Sequence, residues 1–149
     1  MPTTALELRH RQVGPWPMNT YALICPTTRQ SVLFDPGADP AVLTEMLQGS
    51  TPIAILLTHT HGDHVGALVE MREQLRVPLM AHGNVQSKGF AVDRVLADGD
   101  QVLVGDHTLR AYYTPGHIDD MLSFAIEGDH RIVVGDTIFK GGPGKTGSP

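Results

Sequence analysis

The hexapeptide His59-Thr60-His61-Gly62-Asp63-His64 follows directly on the apolar run Ile53-Ala54-Ile55-Leu56-Leu57. A run that is apolar on both faces is typical of a strand buried between layers. His59 and His61 are two positions apart, so an extended backbone places both imidazoles on one side. Asp63 and His64 follow where the chain turns towards the next predicted helix. Because imidazole and carboxylate groups suit Zn²⁺, Fe²⁺ or Mn²⁺, the segment predicts a divalent-metal site at the end of a strand.

Two later positions follow predicted strands in the same way. His117 comes shortly after the strand Leu109–Tyr113, and Asp136 shortly after the strand Arg131–Val134. If these strand ends share one edge of a layered fold, both side chains converge with the first cluster. An isolated Asp136 is more simply interpreted as a turn residue, since Gly-Asp pairs occur at several predicted turns of this chain. The pattern therefore indicates His117 and Asp136 as candidate metal ligands, and for Asp136 it leaves the interpretation as a turn residue open.

The rest of the chain is predicted to alternate strands and helices early and to cluster strands later, which indicates an α/β or α+β class. We expect a single domain over residues 1–149, with 141–149 as a flexible tail. The predicted strands are Tyr21–Ile24, Ser31–Phe34, Ile53–Leu57, Val77–Ala81, Gln101–Val104, Leu109–Tyr113, Met121–Ile126 and Arg131–Val134, and the predicted helices are Ala41–Gln48 and Val65–Arg76.

Composition narrows the function classes. The net charge of −5 argues against a nucleic-acid surface, which needs an excess of Lys and Arg. Cys25 is the sole cysteine, so no intrachain disulfide can form. The start of the sequence, Met1 to His10, has no basic region followed by an apolar run, so we do not expect a signal peptide there. No apolar stretch of the sequence approaches the roughly 20 residues needed to span a bilayer. A cytoplasmic protein with a small-molecule substrate and no membrane or nucleic-acid partner is the expectation.

Four motifs, in order along the chain, resemble those of the metallo-β-lactamase superfamily, and specifically its glyoxalase II-like (hydroxyacylglutathione hydrolase-like) branch. The first motif resembles the family's strand and D-x-G turn, and the others match T-H-x-H-x-D-H, T-P-G-H and G-D-T-[LI]-F. The matching segments are Val32–Gly37, Thr58–His64, Thr114–His117 and Gly135–Phe139.

The resemblance implies an αββα sandwich with two metal ions, most simply Zn²⁺, at one end of the two sheets. It implies that Asp35 is a nearby group that orients ligands. It also implies a catalytic role for Asp63, which would hold and deprotonate the nucleophile. The implied ligands are His59, His61 and His117 for one metal, and Asp63, His64 and a bridging Asp136 for the second.

The sequence departs from the family pattern after Asp136. The family has a further strand, a last metal-binding histidine and a closing helix there, whereas Thr137–Pro149 contains no histidine. Either the chain is a piece of a longer protein or its site holds a single metal. We favour the first and expect a domain that lacks its C-terminal strand and helix. Without those elements a sheet edge and an apolar helix-docking face would be uncovered, which predicts dimerisation or aggregation through that surface. The remaining histidines are interpreted as non-ligands; they are His10, His82, His107 and His130.

Three functions are compatible with these residues. The first is a hydrolase that uses metal-activated water on a thioester or other ester-like small molecule. The second is a persulfide dioxygenase-like enzyme with one Fe²⁺ held by His59, His117 and Asp136. The third is a non-catalytic metal-binding fragment. Metal identity and oxygen consumption separate the first two.

Overall fold

The computed structural model of the chain describes residues 6–13, 18–58, 67–83, 92–113, 122–127, 131–134 and 137–140. These residues form two β-sheets and two helices. None of the helices in these ranges is long and apolar enough to cross a membrane. The proposed ligands all lie outside the described residues; they are His59, His61, Asp63, His64, His117 and Asp136.

The first sheet, sheet A, has six strands in sequence order. The first three strands pair antiparallel, and the last four pair parallel. Parallel pairing puts the carboxyl ends of the last four strands at one edge, so the loops that follow them emerge together. The strands are β1 (Glu7–Val13), β2 (Met18–Ile24), β3 (Gln30–Phe34), β4 (Thr51–Leu56), β5 (Leu79–His82) and β6 (Arg94–Leu96).

The two helices, α1 (Pro40–Met46) and α2 (Leu68–Leu75), connect parallel strands of sheet A. Both bury apolar side chains against the same face of that sheet, in a cluster that includes Leu43 and Met71. Asp39 is the N-cap residue of α1, but its side chain makes no capping hydrogen bond and its backbone is left-handed. The fixed φ of the proline at the first helical position is thus the clearer start signal.

The second sheet, sheet B, is an antiparallel meander of five strands. Its inner face packs on sheet A, where Phe34 of β3 meets Phe124 edge-to-face with ring centroids 5.5 Å apart. Most side chains between the sheets are fully buried aliphatic or aromatic groups, so this layer is the main core. The strands are β7 (Gln101–Val104), β8 (His107–Tyr113), β9 (Leu122–Ile126), β10 (Arg131–Val134) and β11 (Thr137–Lys140).

The strands and helices predicted from apolar patterning are confirmed, with bounds that differ by a few residues. Three strands were not predicted. β1 carries charged residues along most of its length, β6 has three residues, and β11 overlaps a segment interpreted only as a motif. All three are edge strands of their sheet. An edge strand pairs on one side only and is less buried, so its sequence shows less of the apolar alternation that predicts a strand.

Candidate metal centre

The carboxyl ends of β3, β4 and β5 carry three polar or aromatic residues, one of which precedes the predicted ligand segment in the sequence. Asp35 follows β3 directly, Thr58 lies two residues after β4, and His82 ends β5. Thr58 immediately precedes His59 in the sequence. The parallel arrangement therefore starts the His59–His64 segment at the same edge as Asp35 and His82.

Asp35 holds Thr58 through both oxygens of its carboxylate. Oδ1 accepts the backbone N–H of Thr58 at 2.7 Å, and Oδ2 accepts the Thr58 hydroxyl at 2.6 Å. The Asp35 side chain is buried, with 1% of the residue exposed, and the Thr20 hydroxyl donates to its carbonyl oxygen. A buried carboxylate with charge-assisted hydrogen bonds at both oxygens fixes its partner strongly. Asp35 thus determines where the predicted ligand segment leaves the sheet.

Thr58 also ties sheet A to sheet B. Its carbonyl oxygen accepts the backbone N–H of Leu122, the first residue of β9, at 2.7 Å. Leu122 pairs with Tyr113, the last residue of β8. Tyr113 immediately precedes the Thr114–His117 segment. The residues before both histidine motifs are therefore joined through a single residue of β9.

A second contact between the two sheets joins the rings of His82, at the end of β5, and Tyr113, at the end of β8. They are stacked with centroids 4.2 Å apart and planes 11° from parallel. The backbone N–H of Tyr113 donates to Oδ1 of Asp98 at 2.8 Å. Side chains from β5 and β8 thus meet across the gap between the sheets.

Asp136 belongs to the connection between two strands at the same edge. Val134, the last residue of β10, pairs with both Ser123 near the start of β9 and Thr137 at the start of β11. β9 begins beside Thr58. The end of β10 and the start of β11 therefore lie at the same edge as Thr58, the residue before His59 in the sequence. The structure thus brings the flanks of all three motifs together.

The ligand set itself stays a prediction, because each of its members lies outside the described residues. Among the residues that are described, no group of three or more His, Cys, Asp or Glu side chains could hold a metal ion. The donor chemistry nevertheless fits a divalent ion, since the set combines imidazoles with carboxylates. The buried Asp35–Thr58 contact gives that set a rigid base.

The contact between Tyr113 and His82 at this edge was not predicted from the sequence. Tyr113 was interpreted only as part of a strand, and His82 only as a non-ligand histidine. The available signal was position, since each ends a strand whose carboxyl end faces the motifs. No pattern in the sequence indicates that the two rings stack, because they are far apart along the chain.

The opposite edge of the sandwich holds a second polar contact between the sheets. The Cys25 thiol lies 3.3 Å from Oγ1 of Thr27, and the Thr27 hydroxyl donates to the Asp106 carboxylate at 2.6 Å. Cys25 is fully buried. It follows β2, at the end of sheet A away from Asp35, so we assign this contact to the structure of two turns and not to the metal centre.

Comparison with known proteins agrees with this arrangement. A family model described as the metallo-beta-lactamase superfamily matches residues 13–149. The probable metallo-hydrolase YqgX of Bacillus subtilis (strain 168) is 32% identical over 161 aligned residues, covering 95% of this chain and 75% of that protein. A hydroxyacylglutathione hydrolase of Rhodopseudomonas palustris (strain BisA53) is 35% identical over 126 residues, 84% of this chain. The chain covers 49% of that relative, about half of its length.

A solved structure shares the fold and shows which kind of ligand such a fold can hold. TTHA1623 in a di-iron-bound form matches with a TM-score of 0.69 and 30% identity, covering 90% of this chain and 74% of that chain. This match confirms the fold class expected from the motifs. The two iron ions are a property of TTHA1623.

Proposed function

Because the chain belongs to the metallo-beta-lactamase superfamily, we propose that it hydrolyses a thioester or another ester-like small molecule at a divalent-metal site. The observation that carries this proposal is the double hydrogen bond from Thr58 to the buried Asp35 carboxylate. It fixes Thr58, the residue before His59 in the sequence, at an edge where the strands that flank the other two motifs also end. The family match and the named relatives support a metal-dependent hydrolase in general.

The proposed ligands would hold one or two ions, His59, His61 and His117 on one side and Asp63, His64 and Asp136 on the other. A bound divalent metal would supply hydroxide near neutral pH and polarise the substrate carbonyl. Asp63 accepts a proton from the attacking water. The water oxygen would add to the carbonyl carbon, the carbon–sulfur bond would break, and the departing thiolate would take the proton from Asp63. The products are a thiol and a carboxylic acid, which ionises to the carboxylate at neutral pH.

A thioester is the substrate class that the named relatives favour. The hydroxyacylglutathione hydrolase acts, by its name, on a thioester of glutathione, and it is 35% identical to the matched part of this chain. The matched part is about half of that relative, so its glutathione specificity does not carry over with the match. We therefore propose the bond type and leave the thiol partner open.

The test is hydrolysis of S-lactoylglutathione and of simple acetyl thioesters by protein loaded with Zn²⁺, Fe²⁺ or Mn²⁺. We expect Asp63→Asn to lower kcat by about 10²–10⁴-fold, the usual contribution of a general base. The matched control is Glu45→Gln, which removes an exposed carboxylate from α1 and should leave kcat unchanged. Metal-loaded protein that cleaves none of these thioesters would rule out a thioester as the substrate class.

An iron-dependent oxygenase with one Fe²⁺ is the second candidate, and the di-iron form of TTHA1623 favours iron as a metal to test. An oxygen electrode separates the two functions, because a hydrolase consumes no O₂. Oxygen uptake with a persulfide substrate, together with about one Fe per chain, would favour the oxygenase. A protein that binds metal but neither cleaves a thioester nor consumes O₂ would favour the non-catalytic metal-binding fragment.

A further inference from the structure

The stacked rings of His82 and Tyr113 lie at the metal edge but serve no role in the proposed chemistry. The ring centroids are 4.2 Å apart and the planes are nearly parallel. Each residue is half-buried, so part of each side chain reaches solvent. The aromatic pair that fills the core is a different one, Phe34 with Phe124.

The position of the pair follows from contacts already described. Tyr113 pairs with Leu122, and Leu122 donates to the carbonyl of Thr58, the residue before His59. His82 ends β5, the neighbour of β4 in sheet A. The stacked rings therefore flank the start of both histidine motifs, one strand away from the anchored Thr58.

The charge beside the pair limits what it can bind. Asp98 places its carboxylate at the backbone of Tyr113. A substrate group carrying its own carboxylate would meet like charge here, whereas a flat uncharged group can stack on a ring.

We propose that His82 and Tyr113 form a substrate platform that positions a flat, uncharged acyl or thiol group beside the scissile bond. The proposal rests on the thioesterase function above and specifies the substrate side of it. Both residues are positioning residues: they take no proton and hold no metal. Their effect should therefore fall on KM for substrates with a ring and leave kcat unchanged.

The experiment compares benzoyl and acetyl thioesters of the same small thiol, using full-length metal-loaded protein. Tyr113→Leu should raise KM for the benzoyl substrate about three- to tenfold, the size of an aromatic stacking contribution, and change KM for the acetyl substrate less than about twofold. Tyr113→Phe keeps the ring and should restore the benzoyl KM. Thermal unfolding and metal content of each variant identify a loss of folding or of the metal site.

The matched control is Tyr112→Leu. Tyr112 is the neighbouring residue of β8, its side chain points to the other face of sheet B, and 42% of the residue is exposed. It should leave both KM values unchanged. Equal effects of Tyr113→Leu on both substrates, no effect on either, or the same effect from Tyr112→Leu would overturn the platform.

A binding measurement separates this proposal from the thioesterase proposal. Calorimetry with 2-phenylethanethiol and ethanethiol should show tighter binding of the phenyl compound, and Tyr113→Leu should remove that preference. If the protein cleaves no thioester but keeps this preference, the platform stands and the thioesterase function fails. If thioesters are cleaved but the phenyl group gives no preference in binding or in KM, the platform fails alone.

Discussion

Asp35 accepts two hydrogen bonds from one residue, Thr58, using a separate carboxylate oxygen for each. Asp35 itself is held in a left-handed backbone conformation with φ of 48°, which is costly for a residue other than glycine. Its N–H donates to the carbonyl oxygen of Leu56 in β4, so β3 and β4 are joined by backbone and side chain at the same point. The strain is therefore compensated by contacts that fix the residue before His59.

Replacing Asp35 with Asn tests this anchor. The amide offers one acceptor where the carboxylate offers two, and its NH₂ group faces a donor. Because the site is buried, we expect the free energy of unfolding to fall by about 2–4 kcal/mol, the cost of unsatisfied buried polar groups and a lost charged partner. Zn²⁺ affinity, measured by chelator competition, should fall about 10- to 100-fold, as for other groups that orient ligands.

Glu73→Gln is the control for Asp35→Asn, because it removes an exposed carboxylate on α2. It should change the free energy of unfolding by less than about 0.5 kcal/mol. If Asp35→Asn left both stability and Zn²⁺ affinity at the wild-type values, the anchor would be unimportant for the site.

Thr58→Val examines one of the two bonds. Valine has nearly the same shape as threonine but no hydroxyl, so the hydrogen bond from Thr58 to Oδ2 of Asp35 is lost while the backbone bond to Oδ1 remains. We expect urea unfolding to show a loss of about 1.5–3 kcal/mol, the range for hydrogen bonds to charged groups. Thr58→Ser retains the donor and should lose less. A serine variant as unstable as the valine variant would assign the loss to packing instead.

These contacts show which parts of the site the sequence could predict. The spacing of His59, His61 and Asp63, after a run apolar on both faces, predicted a site at a strand end, because periodicity is a local property. The structure confirms that strand and places Asp35 against Thr58. The ligand set stays a prediction.

The parts that could not be predicted depend on contacts between distant residues. The stacking of His82 on Tyr113 requires β5 and β8 to face each other across the two sheets. β1 could not be predicted because its charged residues break the apolar alternation typical of a strand, although it pairs with β2. The Arg9 guanidinium also donates to the carbonyl oxygens of Met46, the last residue of α1, and of Gln48, two residues later. Neither relationship leaves a periodic signal in the sequence.

The charges on β1 give a pH-dependent prediction. The hydrogen bond from Arg9 to Glu7, together with the nearby Arg29, lowers the pKa of the Glu7 carboxyl from its ordinary value. A carboxyl whose pKa is lower in the folded state stabilises the protein above its unfolded pKa and loses that effect as pH falls through the folded pKa. Glu7→Gln should thus be less stable than wild type at pH 7, by less than about 1 kcal/mol because the pair is partly exposed to solvent.

Urea unfolding at pH 7 and at pH 3 measures this difference. The two proteins should converge at the lower pH, where Glu7 is increasingly protonated in both the folded and the unfolded wild type. A difference of the same size at both pH values would show that Glu7 acts through packing or a neutral hydrogen bond and not through its charge.

The turn that joins β7 to β8 offers a test of the packing between the sheets. Gly105 has φ of 59°, and a Cβ atom there would lie 2.6 Å from Cβ of Cys25 and against the Thr28 hydroxyl. Gly105→Ala should therefore lower the free energy of unfolding for two reasons. An alanine in a left-handed conformation costs about 1–2 kcal/mol, and overpacking costs about 1–3 kcal/mol. Gly99→Ala is the matched control, because Gly99 has φ of 89° but no atom within 4 Å of the added carbon.

Gly99→Ala should show only the backbone cost, so the difference between the two variants measures how rigidly the β2–β3 turn is held against sheet B. Adding Cys25→Ala to Gly105→Ala should recover part of the loss, since it removes the sulfur that the new methyl group meets. Thermal and urea unfolding of the wild type and these three variants provide the numbers. Equal losses for Gly99→Ala and Gly105→Ala would mean that the turn moves aside freely and that the sheets are not locked at this edge.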